Sequence, residues 1–161
     1  MKRRILGVDP GLNITGYGVI DVTGGRVRLL EAGVVKSRAK SLETRVRDIY
    51  EGIREIIASF EPMALSLEEI YSLYKRPRTA ILMGHARGAI CLAAAQAEIP
   101  VFPYAATKIK KMLTGNGRAG KDQMQRAIQL EFGLEAVPEP PDVADALAIA
   151  LCHYYHGKIT V

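Results

Sequence analysis

Four acidic side chains stand where the chain is otherwise building apolar core: Asp9 in ILGVDPG, Glu68 in LSLEE, and Asp142 and Asp145 in PPDVADALAIAL. Carboxylates in such places cost much desolvation energy unless a cation sits among them. A pair of divalent ions is the natural occupant. Hard ions such as Mg²⁺ take oxygen ligands, and two of them about 4 Å apart hold both the attacking and the leaving oxygen of a phosphodiester. The pattern points to metal-dependent phosphodiester cleavage.

Each acid also has a plain structural explanation. Asp9, before Pro10 and Gly11, suits the opening of a turn, where Asp hydrogen-bonds its own backbone. Asp142 and Asp145 lie three apart, close to capping-box spacing, and complement a helix dipole. Residues three apart also share a helix face, which continues to the apolar Ile149 and Cys152 and argues that both carboxylates face inward. For Glu68 and Glu69 strand alternation leaves the choice open. Glu69 shares its face with Leu65 and Leu67, Glu68 with Ala64 and Ser66, so alternation slightly favours Glu69 as inward. Both faces of a central strand are covered in a mixed sheet, however.

The elements that must carry these residues are legible from periodicity. A buried strand is expected over 5–9, followed by hairpin strands over 15–22 and 27–35 joined through Gly24 and Gly25. A helix follows from 41 to about 60, striped by Leu42, Val46, Ile49, Ile53, Ile56, Ile57 and Phe60. MALSLEE (63–69) reads as a strand, 78–98 as a helix rich in Ala and Gly, and IPVFPY as an edge strand. A basic segment spans 107–121, with helices over about 122–132 and 142–156 after it. The order β-β-β-α-β-α-β-α-α implies a mixed sheet flanked by helices.

Composition sets the limits. The 161 residues carry 22 Lys and Arg against 17 Asp and Glu, a net charge of +5. With several acids drawn to one place, the outer surface is more basic than that sum, which suits a polyanionic partner. The length fits a single domain, expected over residues 1–157 with a short end at 158–161. Cys91 and Cys152 fall in apolar helical stretches, and MKRRILGVD lacks the long apolar stretch of a secretory leader. The expectation is a reduced cytoplasmic protein without disulfides. No apolar run reaches the roughly 20 residues of a spanning helix, so no membrane partner is expected.

Other motifs divide between chemistry and plain structure. GNGRAGKD (115–122) satisfies both GxGxxG and the GxxxxGK part of a P-loop, each of which requires a preceding strand and a following helix. ATKIKKMLT before it has helical spacing, and Asp122 stands where a P-loop needs a hydroxyl. A glycine-rich loop carrying Arg118 and Lys121 toward a backbone phosphate is more economical. His153 and His156 are three apart with no further histidine nearby, and Cys152 beside them falls in an apolar stretch, which favours satisfied or surface histidines. Lys75, Arg76 and Arg78 form a solvated run or a DNA-facing loop. Tyr71 is a core aromatic or a stacking wedge; Ser72 and Tyr74 beside it favour exposure.

Taken together, GVDPGLNITGYGVI, LSLEEIY, MGHARGAI, PVFPYAATKIKK with GNGRAGK, and DVADALAIALCH resemble the RuvC family of Holliday-junction resolvases, in the ribonuclease H-like superfamily, along essentially the whole chain. The resemblance implies an α/β fold with a ribonuclease H-like mixed five-stranded sheet flanked by helices on both faces. It places Asp9, Glu68, Asp142 and Asp145 on the four catalytic, metal-binding carboxylates. Tyr71 falls near the junction centre, and Lys110 and Lys121 on DNA-handling positions; Lys75 and Arg76, just beyond Glu68, and Arg118 in the glycine-rich loop are expected as further DNA contacts from their own positions. It implies two Mg²⁺ ions per site, with Mn²⁺ able to substitute. Four-way junction DNA is the implied substrate, nicked symmetrically by a homodimer to leave 5′-phosphate and 3′-hydroxyl ends. A branch-migration complex of the RuvA and RuvB type is the implied partner.

Two rival classes remain at this point. An actin-like kinase or ATPase also opens with an acid and Gly after its first strand, but needs a second domain for which 161 residues leave no room. A ribonuclease H-like RNA processor, or a junction-binding module without catalysis, is the other.

Overall fold

The computed structural model describes residues 3–70 and 76–159. Its first three strands, β1 (Arg3–Asp9), β2 (Ile14–Thr23) and β3 (Arg26–Lys36), form an antiparallel meander. Gly24 and Gly25 both take positive φ at the β2–β3 turn, a conformation open to a residue without Cβ. Helix α1 (Leu42–Phe60) opens at Ser41, whose hydroxyl caps the Thr44 N–H. It buries the stripe Ile49, Ile53, Ile56 and Ile57.

The chain then crosses to β4 (Ala64–Glu68), parallel to β1, passes through α2 (Pro77–Gln96), and adds β5 (Val101–Tyr104) parallel to β4. Three helices end the described chain: α3 (Ala106–Thr114), α4 (Lys121–Phe132) and α5 (Pro141–Ile159). The sheet order is β3-β2-β1-β4-β5. One helix more is present than the expected element order counted: ATKIKKMLT, which has helical spacing in the sequence, folds as α3 and closes on Gly115 with a left-handed φ of 78°.

Two apolar cores lie on opposite faces of the sheet. Leu6, Val8, Val19, Leu65 and Leu67 point to α1 and α2, whereas Ile5 and Ile20 point to α5. Helix α5 is apolar nearly all round, with Leu147, Ile149 and Leu151 among the most deeply buried side chains. Each such side chain contributes about 1.5 to 3 kcal/mol by leaving water. The face under α5 is the one that carries the candidate chemistry. Cys152 is buried within it as a free thiol and Cys91 is half-buried, also free.

Candidate active site

Asp9 is the last residue of β1, on the same face as Ile5 and Gly7 by strand alternation, and therefore toward α5. The loop after it is held by the buried hydroxyl of Thr15, which accepts from the Gly11 N–H at 3.2 Å and donates to the Gly11 carbonyl at 2.7 Å. Glu68 ends β4, one strand away. Leu65 and Leu67 belong to the core under α1 and α2, while Ser66 points the other way and donates to the Ile149 carbonyl of α5 at 3.2 Å. Glu68 shares the Ser66 face, so alternation places Glu68, rather than Glu69, on the side of Asp9. The apolar alternation that favoured Glu69 in the sequence tracks the opposite core.

Asp142 and Asp145 come from the first turns of α5. Asp142 lies one residue past Pro141 and so inside the helix rather than at its cap. The two acids reach the sheet because the strands beneath are made of glycine where α5 crosses. A Cβ on Gly7 would lie 2.1 Å from the Ala146 carbonyl oxygen, and one on Gly16 would lie 2.2 Å from that of Asp142. Gly16 is the register partner of Asp9. These glycines hold the site together and were missed in the sequence. Their signal is the alternation in LGVD and TGYGV, read there only as strand.

The electrostatics match this convergence. Burial pushes the Asp9 carboxyl up to about 8, helped by Asp145, Glu68 and Asp142 and opposed by Lys121. Burial likewise raises Glu68, with Asp145 adding and Lys110 opposing. Asp145 is raised by burial and then Asp142, against Lys121 and Lys110. Among the described residues, no lysine or arginine stands within ion-pairing distance of the four acids. Their side chains face one another at electrostatic range, and no three His, Cys, Asp or Glu side chains of the described residues form a ready-made metal cage. The donor set is all oxygen, desolvated and mutually repelling, which suits a hard divalent cation and not a soft one.

The basic residues divide. Lys110, half-buried on α3, and Lys121, at the first turn of α4, line a cavity of about 270 Å³ together with Glu68 and Asp145. Arg118 is exposed in the loop between those helices and is not part of that lining. GNGRAGKD follows a helix, not a strand, so the P-loop context is absent. Arg76 stands before α2 at the rim of a second recess, about 370 Å³, which also includes Glu68 and Met83. Tyr71 and Lys75 lie outside the described residues. His153 is a satisfied side chain, 2.6 Å from the Tyr104 hydroxyl and stacked near Phe102 with ring centroids 4.4 Å apart. A second feature was missed in the sequence: Arg87, inside the MGHARGAI motif, donates from α2 to the main-chain carbonyl of Glu68.

Comparison with known proteins decides what this arrangement belongs to. Residues 5–153 match the family model described as crossover junction endodeoxyribonuclease RuvC. The chain belongs to the RuvC family. A RuvC of Rhodopirellula baltica is 56% identical over 152 residues, covering 94% of this chain and 85% of the relative. The RuvC structure of Thermus thermophilus superposes with a TM-score of 0.87 at 35% identity, over 98% of this chain and 96% of that one. The same protein in complex with Holliday junction substrate gives 0.88 at 34% identity, with the same coverage. The RuvC sheet, mixed and five-stranded with helices on both faces, is the ribonuclease H-like arrangement the sequence implied. Among the described residues, no helix is long and apolar enough to cross a membrane.

Proposed function

We propose that this RuvC chain resolves four-way DNA junctions by paired symmetric nicks, with Asp9, Glu68, Asp142 and Asp145 as its catalytic carboxylates. The observation that carries this reading is the meeting of β1, β4 and α5 at one end of the sheet, where Glu68 and Asp145, both raised by burial, share a cavity with Lys110 and Lys121. Asp9 is central, since it is coupled to all three other acids. Those side chains would hold two Mg²⁺ ions, with Mn²⁺ able to substitute. The chemistry these ions would supply there is acidification of the attacking water and stabilisation of the leaving 3′ oxygen, and the products would carry 5′-phosphate and 3′-hydroxyl ends.

The residues contribute in distinct ways. Lys121 offsets part of the negative field on Asp9 and Asp145, which would otherwise repel a phosphate. Lys110 does the same beside Glu68. Arg118, Arg76, Lys75 and Tyr71 serve as further contacts to the DNA. Residues 1–157 act as one nuclease unit.

A four-way junction has two-fold symmetry and needs two matched cuts, so the working form is a homodimer with isologous contact. Helix α2 supports this. Its inner side packs Ala86, Ala89, Ile90, Ala93 and Ala94 into the core, while its outer side exposes Ile81 (64%) and Leu92 (52%), with Gly84, His85 and Gly88 exposed between them. The partner process is branch migration by a RuvA and RuvB type complex. Incubation of the protein in Mg²⁺ with a synthetic four-way junction, duplex, single strand and RNA hairpin tests the whole reading. Paired cuts confined to the junction are the expected result; cleavage of RNA alone would overturn it.

A further inference from the structure

The segment Lys36-Ser37-Arg38-Ala39-Lys40 joins β3 to α1 and sets three cations at alternate positions. All three are exposed, and among the described residues none has an ion-pair partner. The backbone under them is built rather than loose. Ser37 is 7% exposed and its hydroxyl donates to Asp48 Oδ2 at 2.7 Å. Its N–H donates to the Asn13 carbonyl at 3.2 Å. Arg45 closes the clamp, donating to the Ala39 carbonyl at 2.6 Å and to Asn13 Oδ1 at 2.7 Å. Asn13 belongs to the loop that leaves Asp9, so the segment and the candidate site are tied to one short stretch of chain.

Register locates it. Asp9 pairs with Gly16, Gly16 with Val34, and Ile14 with Lys36. Val34 packs under α5 and Val35 under α1, so Lys36, two residues beyond Val34, lies on the face that carries the carboxylates. Two strand spacings and two residue rises put it roughly 12 Å from Asp9. Lys110 and Lys121 lie along the cavity with Glu68 and Asp145, on the β4 side of Asp9. Four carboxylates repel a polyanion unless cations receive it on each side. Unpaired cations on a preordered backbone meet that need at little entropic cost.

We propose that Lys36, Arg38 and Lys40 form a second phosphate track, which holds the backbone of the bound DNA on the side of the carboxylates opposite Lys110 and Lys121. The proposal rests on the nuclease reading above. Lys36, the member that the strand register places, is the one nearest the cut.

The test compares wild type with the Lys36→Gln, Arg38→Gln and Lys40→Gln variants, singly and combined, for binding of a labelled four-way junction in Ca²⁺ across a salt series. Each substitution is expected to reduce the slope of log affinity against log salt by about 0.9, and the triple variant by about 2 to 3. Single-turnover cleavage at saturating protein in Mg²⁺ should stay within about threefold of wild type, so the loss appears in affinity and not in the chemical step. The charge-conserving triple exchange Lys36→Arg, Arg38→Lys, Lys40→Arg should keep the wild-type slope, which separates charge from a folding effect. Junctions with methylphosphonates at successive positions within a few nucleotides of one side of the cut should include one at which wild type loses affinity and the triple variant loses nothing more. An unchanged slope in a folded triple variant that still cleaves overturns the track, as does a slope change confined to RNA. If the wild type neither binds nor cuts junctions above duplex, the nuclease reading fails first, and the track fails with it.

Discussion

Gly16 of β2 and Asp142 of α5 touch through bare backbone: a Cβ on Gly16 would sit 2.2 Å from the Asp142 carbonyl oxygen and 2.9 Å from its Cβ. That contact brings the start of α5 down onto the strand beside Asp9. Gly16→Ala must push the helix away. Overpacking of this kind costs about 1 to 3 kcal/mol. Because the displaced residues carry the acids, cleavage should fall by at least about 100-fold, as misplacement by roughly 1 Å does in other enzymes. Melting and single-turnover cutting on the same sample check both halves; a destabilised variant that cuts normally would detach Asp142 from the reaction.

Asp9→Asn, Glu68→Gln, Asp142→Asn and Asp145→Asn should each lower cleavage by about 100-fold or more, on the scale of losing one transition-state contact. Junction affinity in Ca²⁺ should stay within about threefold. Glu69→Gln should remain active, since Glu69 is not on the strand face shared by Asp9 and Ser66. An active Glu68→Gln with an inactive Glu69→Gln would reverse that assignment.

Metal-free stability should depend on pH with a sign set by Asp9. Its folded proton affinity is pushed up to about 8 by burial and by Asp145, Glu68 and Asp142, against about 3.9 in an unfolded chain. The folded protein therefore keeps a proton that the unfolded chain releases. This contribution is fully present below about pH 4 and is lost as pH rises toward 8. Glu68 and Asp145, shifted in the same direction, add to it. In EDTA the melting temperature should fall across that window, Asp9→Asn should flatten the fall, and Mg²⁺ should restore most stability near pH 8. A metal-free melting curve that rises with pH would contradict the burial of this carboxyl.

Lys121→Ala should act on both DNA and acids. Loss of a phosphate contact reduces the salt slope by about 0.9. Loss of the cation that opposes the raised Asp9 and Asp145 should also move the acid limb of the cleavage profile to higher pH. Arg118→Ala, outside the cavity, should alter the slope without moving that limb. Salt titrations and pH-rate profiles of the two variants separate these effects.

Leu92→Glu places a charge on the exposed side of α2 without disturbing Ala93 and Ala94 beneath it. If the chain pairs through α2 as proposed, this variant should be a folded monomer that binds junction arms but fails to make paired cuts. Sedimentation alongside two-strand cleavage reads this directly.

The sequence revealed the elements best where periodicity was clean. The α1 stripe and the β1–β2–β3 meander follow directly from it, as does the sheet flanked on both faces. Helix α3 shows helical spacing but is absent from the expected element order, because Lys108, Lys110 and Lys111 crowd a nine-residue element whose one buried residue is Ile109. Glu68 was ambiguous because the apolar alternation of β4 faces α1 and α2, and its other face is filled by the small residues Ala64 and Ser66. The contact between α5 and the sheet was not legible at all. It depends on what Gly7 and Gly16 lack, and only a neighbour distant in sequence gives that absence meaning. Arg87 was invisible for a similar reason, since its partner is a main-chain oxygen 19 residues earlier.

Helix α5 is at once the apolar spine of one core and the source of two of the four acids. During synthesis it leaves the ribosome after every other described element. A nascent chain whose sheet has already assembled has Asp9 and Glu68 in position with nothing opposite them, and its Gly7 and Gly16 surface stays bare until α5 docks. On the proposed assignment of the four carboxylates, competence to cut DNA is gained in the same event that completes that core.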